Sequence, residues 1–159
     1  MEISQKSSTF KRKRKAITMT DKSILLERRE EDFLAAYDKV VKTLNPTNII
    51  INTTEICKIV AHNPAPCFYV SLEQALYQYR LYKQGRSNIK WIEKRKMYAE
   101  IFTRFEYLME LSGGKAYQYT VMEAVLNQEA PSFYLTDESA VYFYYNAMRK
   151  KKQKAKRKR

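Results

Sequence analysis

The chain has 159 residues, 45% of them hydrophobic, with three Gly, four Pro and a formal net charge of +13. That length suits one compact domain or two very small ones, and the apolar content is enough for a core. Scarce Gly and Pro disfavour turn-rich sheet folds, no window nears the roughly 18–20 apolar residues of a membrane span, and the polar residues 1–10 lack the apolar stretch of a secretion signal. A reducing, cytoplasmic setting is expected.

Residues 1–20 carry Lys6, Lys11, Arg12, Lys13, Arg14 and Lys15 against Glu2. Apolar residues are too sparse there to offset the entropy of ordering, so a disordered basic arm is expected. A helix is predicted from Asp21 or Ser23 to Leu44, with Leu25, Phe33, Tyr37, Val40 and Leu44 at helical spacing. On it Glu27, Glu30, Glu31 and Asp32 interleave with Arg28 and Arg29, which predicts a solvated face. Asn45-Pro46 ends the helix, because the residue before proline disfavours the α region. A short apolar stretch, Ile49-Ile50-Ile51, follows. Thr53 or Thr54 is the expected cap of a second helix to about Ala61, and Asn63-Pro64-Ala65-Pro66 forces an extended loop. After a short extended Phe68-Tyr69-Val70, Ser71 caps a third helix, with Gln74 in capping-box position and Gly85 as its stop. Asn88 is the expected cap of a long fourth helix, broken at Ser112-Gly113-Gly114. A fifth helix is predicted over about 115–128. The sixth, capped by Thr136, fades into a disordered basic tail over 149–159.

Two stretches of this chain match each other. Residues 65–79 read APCFYVSLEQALYQY and residues 130–144 read APSFYLTDESAVYFY, with eight identities in fifteen positions at a constant offset of 65. Phe33 falls on Tyr98, Tyr37 on Phe102 and Ile56 on Val121 at the same offset. Each half reads as helix, shorter helix, Ala-Pro-x-Phe-Tyr strap and capped helix. Halves of this size are small to be stable alone, so a pseudo-twofold pair with a shared core is expected. The expected fold is therefore all-α: a compact bundle of about six helices built from two similar three-helix halves, with disordered basic tails. The organisation is an arm over 1–20, one repeat over 21–86, a second over 87–148 packed on the first, and a tail over 149–159. In the strap, proline stops the incoming helix, Phe and Tyr anchor on the core, and Glu73 or Glu138 favours the positive end of the next helix. Tyr142, Tyr144 and Tyr145 read as core or interface rings with a wet edge. The repeated pattern, AP-x-FY-[VL]-[ST]-x-E-x-A, resembles that of short basic proteins of Bacteroidetes-type bacteria and their tailed phages. That resemblance implies a phage or mobile-element origin and a virion or DNA-maintenance role, and it carries no catalytic residues with it.

Signals for chemistry are sparse. Cys57, Cys67 and His62 total three ligands where structural zinc usually takes four, so free thiols, an ordinary loop histidine and no metal are expected. Ser112-Gly113-Gly114-Lys115 is too short for a phosphate-binding loop. One histidine cannot build the metal cluster of a relaxase, and a hydrolytic dyad would want a well-placed base. No enzymatic activity and no cofactor are expected.

The charge is informative through its location. Residues 149–159 hold nine Lys or Arg and no acid, and with the arm removed as well the body, 21–148, carries −1. Like-charge ends repel themselves and order on a polyanion. The expected nucleic-acid contacts are Lys11, Arg12, Lys13, Arg14 and Lys15, with Arg149, Lys150, Lys151, Lys152, Lys154, Lys156, Arg157, Lys158 and Arg159. A further basic track is expected from Arg80, Lys83, Arg86, Lys90, Lys94 and Arg95. Such contacts hold phosphates without reading bases. The expected partner is nucleic acid, DNA rather than RNA, with self-association or virion proteins as further partners and no membrane. The alternatives are a phage structural or cargo protein that touches packaged DNA, located in the virion, and a ribosome-associated protein.

Overall fold

A computed structural model describes side chains for residues 22–46 and 51–159; for 2–21 and Thr47 it describes the helical backbone alone, and Met1 and 48–50 lie outside the description. The architecture is all-helical: α1 (Glu2–Leu44) closed by a 3-10 turn (Asn45–Thr47), then α2 (Thr53–His62), α3 (Leu72–Lys83), α4 (Ile92–Leu111), α5 (Gln118–Leu126) and α6 (Asp137–Arg157). Among the described residues the only sheet-like feature is one antiparallel bridge, Ala65 to Ala130. Over the expected arm, 1–20, the described backbone is helical from Glu2, while the side chains of Lys11 to Lys15 and the run Ile49-Ile50 fall outside the described residues.

Local chemistry sets the helix ends. Ser71 Oγ accepts the Gln74 N–H at 3.3 Å and Thr136 Oγ1 accepts the Ser139 N–H at 3.1 Å. α2 is capped by Asn52 rather than Thr53 or Thr54: its Oδ1 accepts the Glu55 N–H at 2.9 Å, a bond for which asparagine ranks above threonine. α4 starts at Ile92, not after Asn88, with Trp91 at the cap position and no side-chain cap bond; Ile89 packs on the core and holds the preceding linker extended. α3 and α4 end alike. The Arg86 and Gly85 N–H groups bond Leu81 and Tyr82, and those of Gly114 and Gly113 bond Met109 and Glu110. Both are Schellman closures, and they need the left-handed φ of +69° at Gly85 and +66° at Gly113. The second closure also engages Lys115 and Ala116 through Ser112, so α5 begins at Gln118 and not near 115.

The two halves are related by a pseudo-twofold axis. At the offset of 65, α2 and α5 start at equivalent residues, as do α3 and α6. Ala65 and Ala130, equivalent to each other, exchange both backbone bonds, at 2.9 and 2.8 Å. Phe68 N–H bonds Leu126 O at 3.0 Å, and the equivalent Phe133 N–H bonds Ala61 O at 3.2 Å. The ring pairs Phe68/Tyr134 and Tyr69/Phe133 stack at 6.2 and 6.1 Å. Contacts in which residue i meets j′ and j meets i′ are the mark of a twofold. Packing is exchanged: α2 lies on α6 and α3 on α5, so each half completes the core of the other. The core is one cluster holding Phe33, Phe105, Phe133, Ile101 and Met122, each 1% exposed or less. Full burial of a side chain of this size contributes about 1.5–3 kcal/mol.

Two further expectations need correction. The segment 149–159 is not an unfolded tail: α6 continues through it to Arg157. Lys, Arg, Gln and Ala are good helix formers, and cations are favoured at a helix C-terminus. The charged face of α1 is only partly solvated. Glu30 is 8% exposed, Arg29 lies mostly within the fold with Nε sealed from solvent, and Asp32 holds the Tyr69 hydroxyl at 2.6 Å. α6 and the strap cover that face, which helical spacing by itself could not reveal.

Candidate nucleic-acid interface

The basic end of α6 is positioned by an antiparallel seam with α1. Tyr37 stacks on Tyr144 at 4.4 Å, Phe33 meets Phe143 edge-on at 5.4 Å, Lys150 Nζ pairs with Glu30 Oε1 at 2.6 Å, and Lys154 pairs with Glu27. Each step forward along α6 is a step backward along α1. In that register the end of α6 runs towards Lys22, where the described side chains of α1 begin.

The seam sorts the cations of α6. Lys150 and Lys154 occupy the stripe facing α1, where Glu27, Glu30, Glu31 and Asp38 line a shallow cleft of about 330 Å³. Both already hold carboxylates while remaining partly exposed, because a helix of this length lays every third or fourth residue on its neighbour. Arg149 donates to Asn146 Oδ1 at 3.2 Å, one turn back. Lys151, Lys152, Lys156, Arg157, Lys158 and Arg159 are exposed.

The further basic track divides. Arg80 and Arg86 are exposed near the end of α3. Lys83 Nζ pairs with Glu106 Oε1 at 3.2 Å, and that hydrogen bond raises its pKa. Arg95 donates to Lys90 O at 3.0 Å. Lys90 and Lys94 instead line a groove of about 940 Å³ between the straps. Reading residue types along the chain missed this groove and the cluster beneath it. Arg29 donates to Phe133 O at 2.6 Å and lies over the rings of Phe143, at 5.2 Å, and Tyr69, at 5.9 Å. Burial lowers the Arg29 pKa; burial first, then the bond to Asp32, pushes the Tyr69 phenol far up. One signal was available: Arg29 and Lys94 are equivalent basic positions at the offset of 65.

The residues considered for chemistry sit apart. His62, exposed at the end of α2, lies 2.9 Å from Asp137 in the first turn of α6 and ties the halves together. Cys57 and Cys67 are buried free thiols; burial pushes Cys57 up to about 11 and raises Cys67 too. Among the described residues no three His, Cys, Asp or Glu side chains gather as a metal site, and no helix is long and apolar enough to cross a membrane. Of the tyrosines of α6, Tyr144 is half-buried in the seam, whereas Tyr142 is 76% and Tyr145 57% exposed. No family model, no curated protein and no solved structure matches the chain.

Proposed function

We propose that this is a non-enzymatic nucleic-acid-binding protein that grips phosphates without reading sequence, with duplex DNA as its preferred partner over RNA. The observation that carries the reading is the run of exposed cations at the end of α6, Lys151, Lys152, Lys156, Arg157, Lys158 and Arg159, projecting from a near-neutral body. Phosphate contact releases condensed counterions, and about 5–8 engaged cations would give a log–log salt slope of about −4.5 to −7 on duplex DNA. The exposed cations of α6 are spread around the helix, which suits backbone tracking rather than the convergent side chains of base readout.

The test is a binding titration across salt, with a random duplex, of the full chain and of a variant carrying Lys151→Gln, Lys152→Gln, Lys156→Gln and Lys158→Gln. These four exposed lysines make none of the seam's ion pairs. The slope should flatten by about 3 to 4; an unchanged slope and affinity would remove the reading. A second reading, a phage structural or cargo protein touching packaged DNA, is favoured by exposed Tyr142 and Tyr145 on the same helix, which form an aromatic assembly surface. An oligomer that survives roughly 1 M salt, where surface charge is screened, would favour this second reading; dissociation to monomers would favour the first.

A further inference from the structure

The 940 Å³ groove lies on the pseudo-twofold axis. Its walls are the two straps, 67–71 and 132–136, which are equivalent segments, and the equivalent pairs Leu26/Trp91 and Arg29/Lys94 also line it, with Arg29 in its depth. A groove formed between repeats in this way is a property of the paired fold and belongs to neither half alone.

Its chemistry is unbalanced. Lys22, Arg29, Lys90 and Lys94 line it against a single acid, Glu93, which is already paired with Lys96 at 3.2 Å. Arg29 has no carboxylate partner among the described residues, and its Nε is sealed from solvent with no hydrogen-bond partner. A cation withdrawn from water without a counter-charge is costly, and an anion reaching it recovers part of that cost. The rest of the surface is apolar. Val70, Met97 and Leu135 line the interior, while Leu26, Trp91 and Ile92 stand 42%, 74% and 64% exposed at the lip. The size is that of a small-molecule site, mostly apolar with a few fixed polar groups.

We propose that the groove binds one amphiphilic anion per chain: an alkyl or aryl body along the straps, with a carboxylate or phosphate directed to Arg29 and Lys94. The two headgroups share one chemistry, and comparing them shows which fits. Trp91 is the only tryptophan in the chain and stands at the lip, so its fluorescence reports occupancy directly.

The experiment titrates the full chain with dodecanoate and with dodecyl phosphate below their micellar concentrations, following Trp91. Dodecyltrimethylammonium and adenosine monophosphate serve as comparison probes. The expected result is saturable binding of one anion per chain, weakened about tenfold by Arg29→Gln and several-fold by Lys94→Gln, with little effect of Lys152→Gln on the exposed end of α6. Lys94 is exposed, so its variant keeps the test decisive if Arg29→Gln fails to fold. Unsaturable uptake, equal binding of the cationic probe, adenosine monophosphate binding in place of the amphiphiles, or unchanged affinity in the Lys94→Gln variant would each overturn the proposal.

Discussion

α3 and α6 start from the same cap and the same strap, yet α3 is 12 residues long and α6 is 21. The difference turns on one equivalent position. Gly85 takes a left-handed φ and closes α3; at the same offset stands Lys150, which continues α6 and pairs with Glu30. The residue equivalent to Glu30 is Arg95, so an extended α3 would meet a cation where α6 meets a carboxylate. One scaffold thus yields a blunt end in the first repeat and a cationic arm in the second. A duplicated fold can diverge in function at its helix ends while its core stays symmetric, because the core must satisfy packing on both sides of the axis and the ends need not.

The largest expected effect tests that symmetry. Phe133→Ala should cost about 3–5 kcal/mol, and Phe68→Ala a similar amount, since each anchors its strap at an equivalent place and both are nearly fully buried. Urea denaturation measures both; a gap of more than about 2 kcal/mol between them would break the equivalence of the halves, given the spread such substitutions show at fixed chemistry.

Alkaline pH provides the next test. Burial raises the Tyr134 and Tyr144 phenols from 10.0 to about 12 and the Cys57 thiol from 9.0 to about 11. These acids stay neutral in the fold while the unfolded chain ionises, so their contribution is complete below pH 9 and is lost as pH rises through 11 and 12. A loss of about 3 kcal/mol in all is expected by pH 12, after discounting the partly exposed phenols for screening. A denaturation midpoint that holds steady from pH 9 to 12 would contradict the burial of these groups.

Smaller effects sharpen the contrast between the helix ends. Gly85→Ala should cost about 1–2 kcal/mol from backbone strain alone, as a new Cβ meets no atom within 4 Å. Lys150→Gly, the converse change, should cost about 1 kcal/mol in helix propensity and reduce amide-exchange protection from 150 to 157. If α6 keeps its protection, position 150 is not what separates the two ends. Smallest in stability, Glu30→Gln should cost about 1 kcal/mol, since the partner lysine is partly exposed. The same change frees Lys150 and should strengthen DNA binding roughly threefold; weaker binding would mean that the seam presents the cations instead of competing for them.

Much of this fold was legible in residue pattern. Ser71, Thr136, Gly85 and Gly113 act locally, through a side-chain oxygen on a free N–H or a tolerated positive φ, and each sits where the pattern placed it. The repeat was legible because offset identities require no coordinates. Asn88 misled, because a good cap residue is necessary but not sufficient when Ile89 is drawn to the core. Arg29, Glu30 and Asp32 misled more seriously: their charges spell a solvated face until α6 and the strap cover it. The groove had no sequence signature beyond the paired cations at 29 and 94.

The chain by itself determined that it would be helical, that it would be built twice over, and where its charge would reside, since composition, periodicity and internal identity are carried by neighbours in sequence. Only the tertiary structure decided that α6 lies along α1, that two lysines of α6 are occupied by carboxylates, and that the straps enclose a groove. Those outcomes depend on which surfaces come together across more than a hundred residues, and burial and pairing energies act only once they have.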